Sequence, residues 1–195
     1  MRYNLSEINE VIRNRRSVKP ESYSGRKVHK EIVQNILTNA TWAPTHGMTQ
    51  PWRFKVFMEE GLNKLSEFLP ALYKELTPED KFSQKKYETF QNRPKMVSVI
   101  IAICMERDKD GLIREVEEIE AVACAVQNMA LTSTAYGLGS FWATPPMIYH
   151  EKMNAFLGIG PEDKCLGLFF MGYTEQEWPK AHRKPLEYVT EWITE

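Results

Sequence analysis

Arginines at positions 13, 15 and 16, followed by Ser17, place three cations and a hydroxyl in the single short segment "RNRRS". A phosphate monoester carries about −1.5 to −2 charges near neutral pH and is held by about two cations with hydroxyl or amide donors. The cluster therefore fits a phosphate clamp. It also fits an ordinary helix end, where cations complement the carbonyl pole by about 0.3–1 kcal/mol each. A second basic patch, "HRKP" from His182 to Pro185, lies near the C-terminus. Closed against the first it would balance one phosphate; left alone it is a solvated tail.

The other concentrations of unusual residues suit a flat ligand. "TWAPTHGMTQPWRFKVF", Thr41 to Phe57, packs prolines, tryptophans, His46 and Gly47 ahead of an alternating run. "YGLGSFWAT" sets Trp142 and Thr144 after Gly137 and Gly139. The glycines do not make a dinucleotide turn, because the third is missing and they lead from helix into strand. They predict close backbone approach to something flat. No Gly-x-Ser-x-Gly elbow is present, and the histidines, at 29, 46, 150 and 182, lack metal-ligand spacing. The acidic run "REVEEIE" reads as a helix start and solvated face. Cationic patches and aromatic residues beside turns, without a protein nucleophile, suit a protein whose chemistry comes from a bound cofactor.

Several elements must position these groups. Ser6 is expected to cap a first helix, carrying Ile8, Val11 and Ile12 and ending by Pro20. A second carries Ile32, Val33, Ile36, Leu37 and Ala40 on one face and stops at Pro44. "WRFKVFM" alternates as a strand does. Two polar helices, near Leu62 to Tyr73 and Pro78 to Phe90, are expected to be exposed covers. "MVSVIIAI" is continuous enough to be a central strand, with Ser98 satisfied by a neighbour. Arg114 to Tyr136 is the longest helical pattern, acidic at its start and apolar or small nearly all round from Ala121 to Ala135. It needs cover on every side, from a second subunit or as a central helix. "GLGSFWAT" and "CLGLFFMGY" read as strands, and "IYHEKMNAFLGI" as a helix closed by Gly158. The tail beyond Tyr173 ends in aromatic anchors and must dock.

At 195 residues, with 43% hydrophobic and 26% charged residues and a formal net charge of −1, the chain suits one α+β domain over residues 1–195. Nothing in that balance favours nucleic acid. The longest apolar run, "VSVIIAICM", is about half a membrane span. Cys104, Cys124 and Cys165, far apart in apolar stretches, are expected to be buried thiols in a reducing compartment, and with no signal peptide the expected location is cytoplasmic.

"RNRRSVKP", "ATWAPTHGMTQPWRF", "GLGSFWAT", "LGLFFMGY" and "RKP", in that order and spacing, resemble the FMN-dependent nitroreductase family, particularly its short single-domain branch. The resemblance runs over nearly the whole chain and is weakest from about 61 to 92. It implies a central, mainly antiparallel sheet flanked by helices, in an intertwined homodimer with FMN at the subunit interface and the tail, about 174–195, docking on the partner subunit. In that pattern Arg15, Arg16 and Ser17 meet the FMN phosphate, ribityl chain and pyrimidine edge, with Arg183 and Lys184 joining from the tail. Trp42 and His46, with Gln50 nearby, reach the flavin across the interface. Trp142, Ala143 and Thr144 line its other side. Thr132, Ser133, Thr134, Ala135, Tyr136 and Gly137 lie near the nicotinamide nucleotide, NADH or NADPH. The implied reaction is ping-pong reduction of a small planar acceptor such as a nitroaromatic or quinone. The alternative is a flavin-binding or redox-reporting module with little turnover. One departure stands out: many relatives have Asn where this chain has Met48, which cannot donate a hydrogen bond.

Overall fold

The computed structural model describes residues 3–195. Its centre is a four-stranded sheet of β1 (Trp52–Phe57), β2 (Val99–Met105), β3 (Leu138–Ala143) and β4 (Lys164–Tyr173) in the order β1-β2-β4-β3. Every neighbouring pair is antiparallel. Around it lie α1 (Leu5–Asn14), α2 (Lys30–Ala40), α3 (Glu60–Leu76), α4 (Gln84–Asn92), α5 (Glu115–Ala135) and α6 (Glu151–Leu157). The architecture is α+β, as expected.

The continuous run in β2 has a plain cause. All seven of its residues are buried, because helices cover both faces of the sheet. Val99, Ile101, Ile103 and Met105 point to a core shared with α2 and α5. Ile100, Ala102 and Cys104 point to a second core with α3 and α6. Ser98 Oγ accepts from Val28 N at 3.1 Å, so the flanking hydroxyl is satisfied.

Local details depart from expectation in five places. Asn4, not Ser6, caps α1: its Oδ1 accepts from Ser6 N at 3.1 Å, and Asn is among the strongest N-caps. The helix ends at Asn14, because Arg15 is already extended at φ −57° and ψ 127°; Pro20 has no part in stopping it. α3 is no exposed cover: Leu62, Leu65, Leu69, Leu72 and Tyr73 recur at three- and four-residue spacing and are buried. α4 begins at Gln84 behind a Ser83 cap, and residues 79–81 form a separate 3-10 turn. Cys124 lies exposed on α5, whereas Cys104 and Cys165 are buried cross-strand partners. Distance in sequence hid that pairing. The neighbour's thiol, ahead of burial, raises the Cys104 pKa.

Two glycines explain how the N-terminal segment is held against the sheet. A Cβ on Gly139 would sit 2.8 Å from Val18, and one on Gly172 would sit 2.4 Å from Tyr23. The flat object that "GLGSF" admits is thus the chain's own Tyr23 ring with Val18 beside it. Tyr23 then donates its hydroxyl to Val18 O at 2.9 Å. Burial pushes that hydroxyl's pKa well up, keeping it a donor. Val18 N donates to Ser140 O at 2.8 Å, and Ser17 bridges Ser140 in parallel. The arginine segment is in effect an extra strand on the free edge of β3.

The tail begins along α1. Trp178 Nε1 donates to Asn14 O at 2.6 Å and Arg16 Nε to Pro179 O at 2.7 Å. Farther on, Leu186, Tyr188, Val189, Trp192 and Ile193 are all exposed. No helix among the described residues is long and apolar enough to cross a membrane.

Candidate functional site

The edge pairing brings the first two predicted groups together. Ser17 lies opposite Ser140, and Trp142 follows two residues later on β3, about 7 Å along the strand. The arginines and the aromatic wall therefore share one sheet edge. Arg15 makes no side-chain hydrogen bond or ion pair among the described residues and is half-buried. Arg16 is partly committed: Nε serves Pro179 O, and Nη1 serves Arg13 O at 2.5 Å and Arg15 O at 2.9 Å. Its Nη2 has no partner among the described residues. Pro179 also carries the tail toward this edge, although among the described residues Arg183 bonds only to the carbonyl of His182 at 2.9 Å and Lys184 is exposed without a partner.

Trp142 owes its position to a glycine on the next strand. A Cβ on Gly167 would lie 2.2 Å from Trp142 Nε1 and 2.9 Å from Ala143 O, and Gly167 has φ +143°. The indole thus lies across bare backbone, and Nε1 donates to Leu166 O at 3.1 Å. Beyond it, Ala143 and Thr144 continue into Pro145 and Pro146, along the rim of a cavity of about 850 Å³.

The loop from 42 to 50 is held at its other end. Trp42 and Met48 are exposed, at 82% and 73%. Gly47, Met48 and Gln50 have φ of +57°, +56° and +47°. Two non-glycine residues in the left-handed region cost of order 1–3 kcal/mol each, and such strain gathers at ligand sites. Thr45 Oγ1 accepts from Gln50 N at 3.2 Å. His46 Nδ1 lies 3.2 Å from Glu117 Oε2 at the start of α5, and this hydrogen bond holds the Glu117 carboxyl below its ordinary value. Met48→Asn should relieve part of the strain, since Asn tolerates this backbone. A gain of about 0.5–1 kcal/mol in a urea titration is expected; an unchanged or lower midpoint would place the strain elsewhere.

The predicted nicotinamide segment is tied down from within. Asn39 Nδ2 donates to Thr132 Oγ1 at 3.1 Å and Asn35 Nδ2 to the Tyr136 hydroxyl at 2.5 Å. Ser133 is fully buried and donates to Met129 O at 2.8 Å, and Thr134 donates to Ala130 O at 2.9 Å. Ala135 is exposed, and Gly137 turns the chain with φ +70°. The Ser133 side chain therefore serves the core and faces no ligand.

The conserved model of the nitroreductase family matches residues 12–173, most of the chain. This chain is a member of the nitroreductase family. It is 24% identical over 182 residues to YfhC of Bacillus subtilis, which carries an NAD(P)H nitroreductase name, covering 93% of this chain and 91% of that one. A nitroreductase-like family protein from Bacillus cereus superposes with a TM-score of 0.82 at 26% identity, covering 99% and 98% of the two chains. The FMN-dependent nitroreductase NfnB from Mycobacterium smegmatis, solved with NADPH, superposes with a TM-score of 0.75 at 18% identity, covering 97% and 99%.

Sequence reasoning missed three residues that shape this edge. Gly167 and Tyr23 matter through contacts made only in the folded sheet. Glu117 sat in an acidic run read as a solvated face; it accepts from Arg114 N at 3.3 Å and meets His46, a contact the fold alone creates.

Proposed function

We propose that this nitroreductase-family member is an FMN-dependent oxidoreductase that uses NAD(P)H to reduce small planar electron-poor acceptors, nitroaromatics and quinones among them. The observation that carries the reading is the Ser17–Ser140 bridge, which sets the arginine pair and Trp142 on one edge. The donor set suits the cofactor. Arg15, the free nitrogen of Arg16 and the Ser17 hydroxyl offer two cations and a donor to a phosphate, with Arg183 and Lys184 approaching from the tail. Trp142, Ala143 and Thr144 form a flat wall for a ring, and the arginines stabilise the negative charge that reduction places on it.

FMN, when bound, supplies two-electron chemistry at its N5 atom. No side-chain general acid is required of the protein. Trp42, Met48 and the apolar residues of the tail from Leu186 to Ile193 are exposed on this chain, and the loop with His46 and Gln50 is strained. They serve a homodimer, where Trp42, His46 and Gln50 complete the partner's site and the tail docks on the partner subunit, all within one cytoplasmic single-domain chain. Residues Thr132 to Gly137 lie on the nicotinamide side, with Ala135 and the backbone at Gly137 as the accessible groups. The donor leaves before the acceptor binds, a ping-pong order.

The purified, desalted protein is expected to be yellow with FMN and to lose that absorbance on anaerobic mixing with NADH or NADPH. A colourless preparation that also fails to bind added FMN would overturn the reading. Flavin that binds but is bleached by neither nucleotide would make the protein a flavin-binding module.

A further inference from the structure

The cavity beside Trp142 has a charge pattern that the cofactor reading leaves unused. Its volume, about 850 Å³, lies in the range of small-molecule sites. Its walls are flat and apolar, with Tyr73, Phe90, Phe141 and Trp142 around a floor of Leu168 and Phe170. Such walls favour a planar ring. The charged groups that line it are Lys81, Lys86 and Arg93, and no Asp or Glu does so. That imbalance occurs in a chain whose formal net charge is −1.

Lysines on an exposed helix are ordinarily just solvated, so their geometry has to carry the argument. Lys86, Phe90 and Arg93 follow at spacings of four and three, which puts them on one face of α4 and its continuation. That face turns toward the cavity. Arg93 is held in place there: Nε donates to Glu21 at 2.7 Å, and its guanidinium lies 5.7 Å from the Phe141 ring centroid. Both terminal nitrogens of Arg93 are without partners among the described residues, and so are the ammonium groups of Lys81 and Lys86. The arrangement offers a flat apolar slot with three cationic groups in its lining.

We propose that this cavity takes the electron acceptor and that the acceptor class is a planar aromatic carboxylate, its ring among the aromatic walls and its carboxylate toward Arg93 and Lys86. The assignment rests on the oxidoreductase reading above and narrows it. With 4-nitrobenzoate as acceptor, NAD(P)H and one proton together supply two electrons and two protons. One N–O bond breaks, the oxygen leaves as water, and nitrosobenzoate and NAD(P)⁺ are released. The carboxylate serves only as a handle.

The test compares 4-nitrobenzoate with the neutral 4-nitrobenzamide, nearly equal in shape, on the FMN-loaded protein at low salt. Charge-assisted hydrogen bonds predict a kcat/KM at least about tenfold higher for the acid. Calorimetric titration of each compound into protein without reductant should give the same order of affinity. The exposed pair Lys81→Ala/Lys86→Ala, which leaves the Arg93–Glu21 ion pair in place, should bring both ratios toward one, as should 0.5 M salt. Equal handling of acid and amide, or a double variant that raises the KM for NADPH and spares the acid, would overturn the proposal with the reductase reading intact. Preferential binding of the acid by a protein that reduces neither compound would keep the site and overturn the reductase reading.

Discussion

The Arg15→Ala/Arg16→Ala variant is expected to lose about 3–6 kcal/mol of FMN affinity, two to four orders of magnitude, because each charge-assisted phosphate bond contributes roughly 1.5–3 kcal/mol. The two single variants should not behave alike. Arg15 has no side-chain partner among the described residues, so Arg15→Ala should weaken FMN binding about ten- to hundredfold with little change in thermal midpoint. Arg16 also ties Pro179 O, Arg13 O and Arg15 O together. Its replacement should therefore lower the midpoint and loosen the tail, measured as faster limited proteolysis after Trp178. Equilibrium dialysis with FMN on the three variants separates the contributions. If Arg16→Ala lost FMN while Arg15→Ala kept it, the effect would have passed through the tail, and the phosphate clamp would be misplaced.

That asymmetry marks what a sequence can and cannot carry. The cations, their order and the aromatic wall were legible, since residue type and spacing alone made phosphate and ring chemistry possible. The long buried strand and α5 were legible too, because continuous apolar runs admit few other placements. Which arginine has hands free was not legible, since that depends on carbonyls supplied by the turn and by Pro179, far along the chain. The depth of α3 was misread for a related reason. Its lysines and glutamates are interleaved with leucines, and the stripe of Leu62, Leu65, Leu69 and Leu72 that decides burial is a matter of phase. Cys104 and Cys165 became neighbours only through the β2–β4 register. Cys124 was misjudged because α5 leaves one side open on this chain.

Gly167→Ala should be the most damaging single-methyl change at the site. The added Cβ would meet Trp142 Nε1 at 2.2 Å, Trp142 Cδ1 at 2.7 Å and Ala143 O at 2.9 Å, on a backbone with φ +143°. The backbone conformation costs an alanine of order 1–3 kcal/mol, and overpacking adds about 1–3 kcal/mol. The expected loss is thus about 2–6 kcal/mol in urea denaturation. The two parts can be separated with a second substitution. Trp142→Ala removes the indole and leaves both the Ala143 carbonyl and the backbone conformation unchanged. In the Trp142→Ala/Gly167→Ala double variant the collision with the ring therefore disappears, and the pair should be less destabilised than the sum of its singles by roughly 1–3 kcal/mol. Additive losses would mean that the strand backbone, and not the indole, sets the need for glycine. In Gly167→Ala itself the indole has to leave its place over β4, giving up the bond to Leu166 O. The wall that faces the ring then moves with it, so a Gly167→Ala protein that still folds should bind FMN more weakly and with a shifted visible spectrum. Trp142 holds its place in the pocket because residue 167 has no side chain.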